Sequence, residues 1–212
     1  MLESNKQYDW WCSWPVGKDE HLADKTITED GIDYSYNNLG FRGSAFHGTS
    51  GIVGDSYVYG TGVNFPFANQ LGLDNLGWPA ASNDRIVRHG IQYIGNYKPE
   101  LLIVCWTYGY RREWITPSGA PYDFKRRKPG GGIQEAELAL AELGNDAYDQ
   151  YSYQKNQMLI QLYCKTNNVR LIEINNHTIE LVGYDRAVDG KHPNQSWHND
   201  MADLVKDLID AE

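Results

Sequence analysis

Three residue types that cooperate in nucleophilic catalysis stand near opposite ends of the chain. Ser56 lies in the segment Gly54-Asp55-Ser56-Tyr57, directly after a short apolar run, and Asp189 stands three residues before His192. A carboxylate at this spacing can accept a hydrogen bond from the near ring nitrogen of the imidazole, which leaves the far nitrogen to take a proton from a serine hydroxyl. The pattern predicts a Ser-His-Asp arrangement if folding brings both ends of the chain to one place.

Other chemistries fit the residues less well. The Ser56 segment lacks the second glycine of a nucleophile elbow, and no Gly-Lys-Ser/Thr phosphate loop is present. Three histidines, His47, His89 and His177, have no partner at metal-ligand spacing, and we expect structural or surface roles for them. His198 falls where a helix should start, so we expect a role in that helix rather than in catalysis. No metal or other cofactor is predicted.

Strands and helices alternate along the chain. Apolar runs predict strands near 32–36, 51–55, 73–76, 101–106 and 169–174, and helical periodicity predicts helices over 64–71, 82–96, 133–143, 146–166 and 197–209. This order predicts the α/β class, namely a three-layer α/β/α sandwich around a central, mainly parallel sheet. Ligands bind beyond the carboxyl ends of such strands, so functional residues should follow 51–55, 73–76, 101–106 and 169–174.

The chain length, 212 residues, suits one ordinary domain. Residues 1–48 are polar, rich in aromatics and weakly periodic, and we interpret them as an irregular wrapping segment around a single domain at 49–212. A long connection over 108–132 contains several prolines and glycines that break regular structure, and it carries a net charge of +4 over 108–130 on a chain of net charge −9. An insertion of this length usually serves function or is disordered.

Composition excludes several classes of protein. The overall acidity disfavours a nucleic-acid partner, and no run approaches the roughly 18 apolar residues of a membrane span. The three cysteines, Cys12, Cys105 and Cys164, lack metal-like spacing, which fits a reducing compartment. Acidic residues interrupt the first 30 residues, so no secretion signal is visible, and we expect a location that is cytoplasmic or otherwise reached without such a signal. The sequence leaves the oligomeric state open.

The end motifs resemble the SGNH (GDSL-type) hydrolase superfamily. The likeness rests on Gly54-Asp55-Ser56 and Asp189-x-x-His192-Pro193, together with the upstream segment Asn38-Leu-Gly-Phe-Arg-Gly43, and it extends over roughly residues 36–209. The resemblance implies a flavodoxin-like fold without cofactor that hydrolyses or transfers acyl esters. It also implies that Ser56 is the nucleophile, His192 the general base and Asp189 its orienting carboxylate.

The oxyanion hole departs from that family's pattern. The resemblance implies a first donor, the Ser56 N–H, and a second from the segment Asn75-Leu-Gly-Trp-Pro-Ala80, where either Gly77 or Ala80 could supply its N–H. The asparagine that this family carries after its central strand is missing, and Thr107 or Arg111 could donate instead. The position of Thr107 at the strand end favours it. Asn83 is not a replacement, because the pair Asn83-Asp84 precedes the strand and suits a helix cap.

We therefore predict a serine esterase that forms an acyl-enzyme on a small-molecule or O-acylated carbohydrate ester. The residues expected to contact the substrate are Asp55, Tyr57, Tyr108 and Arg111. Two alternatives stay open: an acyltransferase with the same triad and a sugar hydroxyl as acceptor, or a catalytically weak carbohydrate-binding or structural module on the same fold.

Overall fold

A computed structural model describes residues 17–115, 121–125, 145–175 and 183–211 of the chain. The predicted helix over 133–143 lies outside these ranges, as do residues 1–16 of the predicted wrapping segment and residues 116–120 and 126–132 of the predicted connection.

Four parallel strands form the central sheet. In chain order its strands are β3 (Ser50–Gly54), β4 (Asp74–Gly77), β5 (Leu101–Trp106) and β8 (Arg170–Asn175). Their order across the sheet is β4-β3-β5-β8, and each neighbouring pair is parallel. The central strand β5 is buried along its whole length, as its unbroken apolar sequence requires.

Five described α-helices cover the two faces of the sheet, and a short 3-10 helix (Glu20–Leu22) precedes them in the chain. The α-helices are α1 (Ser56–Tyr59), α2 (Phe67–Gln70), α3 (Asn83–Tyr97), α4 (Asp146–Thr166) and α5 (Gln195–Asp210). One core packs α3 and α4 against side chains such as Val53 and Val104, and the other packs α2 and α5 against Ile52 and Ile103. Alternate residues of each strand point to opposite faces, so β3 and β5 contribute side chains to both cores. The predicted three-layer α/β/α sandwich is confirmed.

Side-chain caps fix where the longer helices begin. The Ser82 hydroxyl accepts a hydrogen bond from the Arg85 N–H at 3.2 Å and so starts α3 where the sequence predicted it. Asn145 and Asn194 cap α4 and α5 in the same way. The helix predicted over 64–71 is shorter, because Pro66 stands at the N-cap and the helical turns begin only at Phe67.

Two antiparallel ribbons lie outside the sheet, and three of their four strands differ from the irregular structure that the sequence predicts there. The strand predicted near 32–36 is present as β2 (Ile32–Ser35), but it pairs with β1 (Thr26–Glu29), which was read as irregular. The connection predicted over 108–132 contains β6 (Arg111–Ile115) and β7 (Pro121–Lys125). Among the described residues no helix is long and apolar enough to cross a membrane.

Candidate active site

Ser56 opens the turn that follows β3. Gly54 has no room for a side chain, because an added Cβ would lie 2.3 Å from Cγ2 of Val58. Asp55 then caps the short helix α1 by accepting the Tyr57 N–H at 3.0 Å, and Gly60 ends that helix in the left-handed region with φ 78°. The serine thus stands as the first residue of α1, at the carboxyl edge of the sheet where ligands bind in such folds.

The carboxylate of Asp55 points into the protein. Its Oδ2 accepts the Thr107 hydroxyl at 2.7 Å and Nη1 of Arg111 at 2.8 Å. The Asp55 side chain is 1 % exposed and that of Arg111 is 9 % exposed, so the two charges form a buried ion pair. The sequence predicted both as substrate contacts, but the structure engages the Asp55 carboxylate with protein partners.

Asp189 and His192 meet as their spacing predicts. Oδ2 of Asp189 lies 2.5 Å from Nδ1 of His192, and its Oδ1 accepts the backbone N–H groups of Lys191 and His192, each at 3.0 Å. Burial raises the pKa of Asp189, but these hydrogen bonds from His192 and Lys191 outweigh burial and lower the pKa to about 2. An ionised acceptor makes Nδ1 the proton-bearing nitrogen of the neutral ring, which leaves a lone pair on Nε2.

The two chain ends touch through a glycine turn. At Gly62 (φ 83°) an added Cβ would lie 2.8 Å from the Ala187 Cβ and 3.7 Å from Oδ1 of Asp189. The ring of Tyr57 packs edge-on against His192, with centroids 6.0 Å apart. The Ser56 hydroxyl, by contrast, makes no hydrogen bond to His192 or to any other described residue.

Tyr57 serves packing at this point of the fold. It is buried, and its ring also packs against Trp197, with centroids 5.5 Å apart. Burial, reinforced by the nearby Tyr108 and Asp55, raises the pKa of Tyr57 to about 12, so its hydroxyl stays protonated at neutral pH.

The candidate oxyanion donors differ in whether they are already engaged. The Gly77 N–H donates to Oδ1 of Asn75 at 2.9 Å. Thr107 uses its hydroxyl hydrogen on Asp55 and its N–H on Oδ1 of Asn83 at 3.0 Å. Ala80 adopts φ 67°, and its N–H has no hydrogen-bond partner within the described part of the chain. Of these three backbone donors, the Ala80 N–H is the one that stays available. The fourth candidate, Arg111, uses Nη1 on protein acceptors, but its Nε is buried without a hydrogen-bond partner among the described residues.

Asn83 has a role that sequence reasoning missed. Ser82 provides the cap of α3, while the Asn83 side chain pairs with both backbone groups of Thr107: Oδ1 accepts its N–H, and Nδ2 donates to its carbonyl at 3.2 Å. The amide thereby fixes the end of β5. Nothing in the local sequence distinguishes this role from capping.

An open cleft lies beyond the carboxyl ends of β5 and β8. Its volume is about 440 Å³, and its lining includes the aromatic residues Trp106, Tyr108 and Tyr153 beside the polar Asp149 and Asn175. Tyr108, which the sequence predicted as a substrate contact, therefore faces open space at this edge.

The remaining histidines carry no site in the part of the chain described. His198 is buried in the first turn of α5, where its Nδ1 accepts the Phe67 N–H at 3.3 Å. Burial lowers the pKa of His198 to about 3 and that of His89 well below its usual value, so both rings are neutral. No group of three or more potential metal ligands gathers among the described residues, and His177 lies outside them.

Comparison with known proteins gives distant structural likenesses. No family model and no curated protein matches the sequence. A GDSL-like lipase from Bacteroides thetaiotaomicron VPI-5482 is 16% identical with a TM-score of 0.38, over 77% of this chain and 88% of that one. A protein from Lactobacillus plantarum is 15% identical with a TM-score of 0.38, over 79% of this chain and 99% of that one.

Proposed function

We propose that the chain is a serine hydrolase of acyl esters, with Ser56 as nucleophile, His192 as general base and Asp189 as its orienting carboxylate. The observation that carries the proposal is the 2.5 Å contact between Asp189 and Nδ1 of His192. It occurs in a turn that packs against the chain just after the Ser56 helix, so the two halves of a triad lie in adjacent segments. The proposal requires the Ser56 hydroxyl to reach Nε2 of His192 in the substrate complex, where catalytic hydrogen bonds often tighten.

The reaction runs in two balanced halves. Ser56 Oγ attacks the ester carbonyl carbon while its proton passes to Nε2 of His192, which gives a tetrahedral oxyanion. Collapse of that oxyanion breaks the bond to the alkoxy group, which leaves as the alcohol with the proton from His192. Water then repeats the sequence on the acyl-serine: His192 takes its proton, and the acid leaves as Ser56 regains its hydrogen.

Two backbone donors suit the developing oxyanion. The N–H of Ser56 stands at the start of α1, and the N–H of Ala80 is unengaged on the strand-to-helix turn after β4. We assign the hole to this pair, with Gly77 and Thr107 held in supporting contacts by Asn75, Asn83 and Asp55. Loss of one such donor lowers the rate about 10²–10³-fold, so we expect each N–H of the pair to contribute a rate factor of that size.

We infer a substrate class from the open cleft beyond β5 and β8, although Ser56, Asp189 and His192 are not among its lining residues. Tyr108 and Tyr153 offer aromatic surface beside amide and carboxylate groups, a combination that suits an uncharged or hydroxylated ester such as an O-acylated sugar. The Asp149 carboxylate on this wall is paired with Arg112 at 2.6 Å, so it adds little net charge to the cleft.

Labelling with a fluorophosphonate probe tests the nucleophile. We expect the wild-type protein to be labelled on the peptide that contains Ser56 and to hydrolyse p-nitrophenyl acetate. Ser56→Ala should abolish both, and His192→Ala should slow both by about 10³-fold or more. Ser50→Ala is the matched control, because Ser50 stands at the opposite end of the same strand.

Two outcomes would reject the assignment. One is wild-type esterase activity in Ser56→Ala, and the other is a label that maps to a different residue. Addition of a sugar acceptor to the same assay separates hydrolysis from acyl transfer, because transfer would divert product from the free acid to a new ester.

A further inference from the structure

Arg42 is a buried guanidinium that hydrogen-bonds to backbone carbonyls. It is 2% exposed. Its acceptors are the carbonyl oxygens of Gly60 and Val63, with further contacts to those of Tyr59 at 3.3 Å and Asp33 at 3.2 Å. Within the described part of the chain no carboxylate pairs with it. An arginine presents five donors in a rigid fork, which suits it to collect several carbonyls of one turn.

Aromatic rings replace the missing counter-charge. The guanidinium carbon lies 4.2 Å from the centroid of the Tyr34 ring and 5.7 Å from that of Tyr59. Both tyrosines belong to a small cluster of buried side chains formed by β2 and α1. Ring faces attract a cation, and this attraction is stronger where water is excluded.

Apart from that of Asp33, the carbonyls that Arg42 contacts belong to the chain just after Ser56. They lie at the end of α1 and in the turn 60–64, where helix-end carbonyls have no partner inside the helix. Tyr34 fixes the same turn from its other side, because its hydroxyl oxygen accepts the Gly62 N–H at 2.9 Å. The turn is therefore held by two side chains from residues 26–42, those of Tyr34 and Arg42.

The same turn supports the segment that carries the imidazole. Gly62 is the glycine whose added Cβ would strike Ala187 and approach Asp189. A shift of the turn 60–64 would thus move the support of the Asp189–His192 pair and the end of the Ser56 helix together.

We propose that Arg42 is a positioning residue that aligns the Ser56 helix with the Asp189–His192 turn. This inference rests on the proposed function, in which those residues act together. Arg42 touches no reacting atom; it acts through the carbonyls of 59–63. Carbonyl oxygens and the rings of Tyr34 and Tyr59 let the chain bury this cation without an ion-pair partner among the described residues.

Arg42→Gln and Arg42→Lys test the proposal with two independent readouts. The first is the rate of p-nitrophenyl acetate hydrolysis, resolved into kcat and KM. The second is amide hydrogen exchange of residues 60–64 and 186–193, which needs no activity. We expect kcat to fall about 10- to 100-fold with KM little changed, and exchange to rise in both segments. Lys should retain more activity than Gln, because it keeps one charged donor.

Arg170→Gln is the matched control. Arg170 also places its guanidinium on helix-end carbonyls, those of Leu208 and Ile209 at 2.9 and 2.8 Å, but it stands at the amino end of β8, away from the site. We expect this variant to leave kcat and the exchange of 60–64 and 186–193 unchanged. An equal loss in Arg170→Gln would overturn the proposal, because the effect would then be general destabilisation.

Tyr34→Phe decides the matter if the Arg42 variants do not fold. It keeps the ring beneath the guanidinium and removes only the acceptor of the Gly62 N–H. Faster exchange at Gly62 together with a lower kcat in Tyr34→Phe supports the proposal. Unchanged exchange and kcat in this variant refute it. Unchanged exchange in a folded Arg42→Gln protein also refutes it. If the wild-type protein proves inactive, the proposed function fails and the exchange data alone decide whether Arg42 aligns the two segments.

Discussion

Two buried arginines flank the Ser56 turn, and the protein neutralises them differently. On the ribbon flank (β6 and β7, residues 111–115 and 121–125), Arg111 pairs with the carboxylate of Asp55. On the hairpin flank (residues 26–42), Arg42 meets carbonyl oxygens and tyrosine rings instead. Burial lowers the pKa of Arg42, and the neighbouring tyrosines Tyr34 and Tyr59 oppose that change only in part.

The difference extends along each flank. Further ion pairs join the strands β6 and β7 to α3. Glu113 pairs with Arg88 at 2.7 Å and with Arg85 at 3.3 Å, and Asp123 pairs with Arg85. Behind Arg42, the hairpin offers hydroxyl groups, as in the 2.8 Å contact between the Tyr36 and Tyr59 oxygens. The stability of the ribbon flank thus depends on pairs of opposite charges, and that of the hairpin flank depends on the several hydrogen bonds that Arg42 makes.

Removal of the Asp55 charge should give the largest loss of stability. Asp55→Asn keeps a side chain that can cap α1 but leaves Arg111 buried without its counter-charge, and we expect about 3–5 kcal/mol less unfolding free energy in urea. Arg111→Met in the same background should restore part of it, because the unpaired charge is then removed. The exposed Asp203→Asn serves as control and should stay within about 0.5 kcal/mol of wild type.

Arg42→Met should give the second largest loss of unfolding free energy, about 2–4 kcal/mol. Several carbonyls lose a charged donor, while the methionine side chain still packs where the apolar part of the arginine packed. The loss should be almost the same in dilute salt and in about 0.5 M NaCl, since no exposed charge pair is broken and salt screens mainly exposed pairs. Urea denaturation at both salt concentrations measures it. A loss that shrinks strongly with salt would contradict the contrast between the flanks.

Ser82→Ala should have a smaller effect on the ribbon flank. Ser82 caps α3, and its hydroxyl and N–H both donate to Oδ1 of Asp123 at 2.8 and 2.9 Å. We expect Ser82→Ala to lower the unfolding free energy by about 1–2 kcal/mol, because it removes both the helix cap and the hydrogen bond from the hydroxyl to Asp123. Ser82→Thr, which retains both groups, should recover most of it in the same thermal or urea unfolding experiment.

The Asp189–His192 turn, which packs near Gly62 in the turn that Tyr34 and Arg42 hold, should show the smallest effect and a dependence on pH. The pKa of Asp189 is lowered to about 2, so its ionised form stabilises the fold above about pH 4, and this contribution is lost as the pH falls through about 2. Asp189→Asn should therefore cost at most about 1 kcal/mol at neutral pH, because solvent screens this partly exposed pair. Urea midpoints of variant and wild type should converge near pH 2; a constant difference would contradict the pKa shift.

The Asp189–His192 contact was predictable from the sequence because it is local. Asp189 and His192 are three residues apart in one turn, so the spacing alone predicts their contact, and the structure has it. The alternation of apolar strands and capped helices likewise determined the layers, since each apolar run must be buried on both faces of a parallel sheet. The strand Leu101–Trp106 and the Ser82 cap were predictable for this reason.

Only the tertiary structure decided what surrounds Ser56 and the turn that follows it. Asp55, Thr107 and Asn83 are far apart in sequence, and no local pattern shows that their polar groups satisfy one another rather than a substrate. Arg42 stood in a segment read as irregular, because ribbon pairing and carbonyl contacts leave no periodic apolar signal. Buried polar groups must find partners wherever the fold places them, and that requirement acts between distant segments, where sequence spacing carries no information.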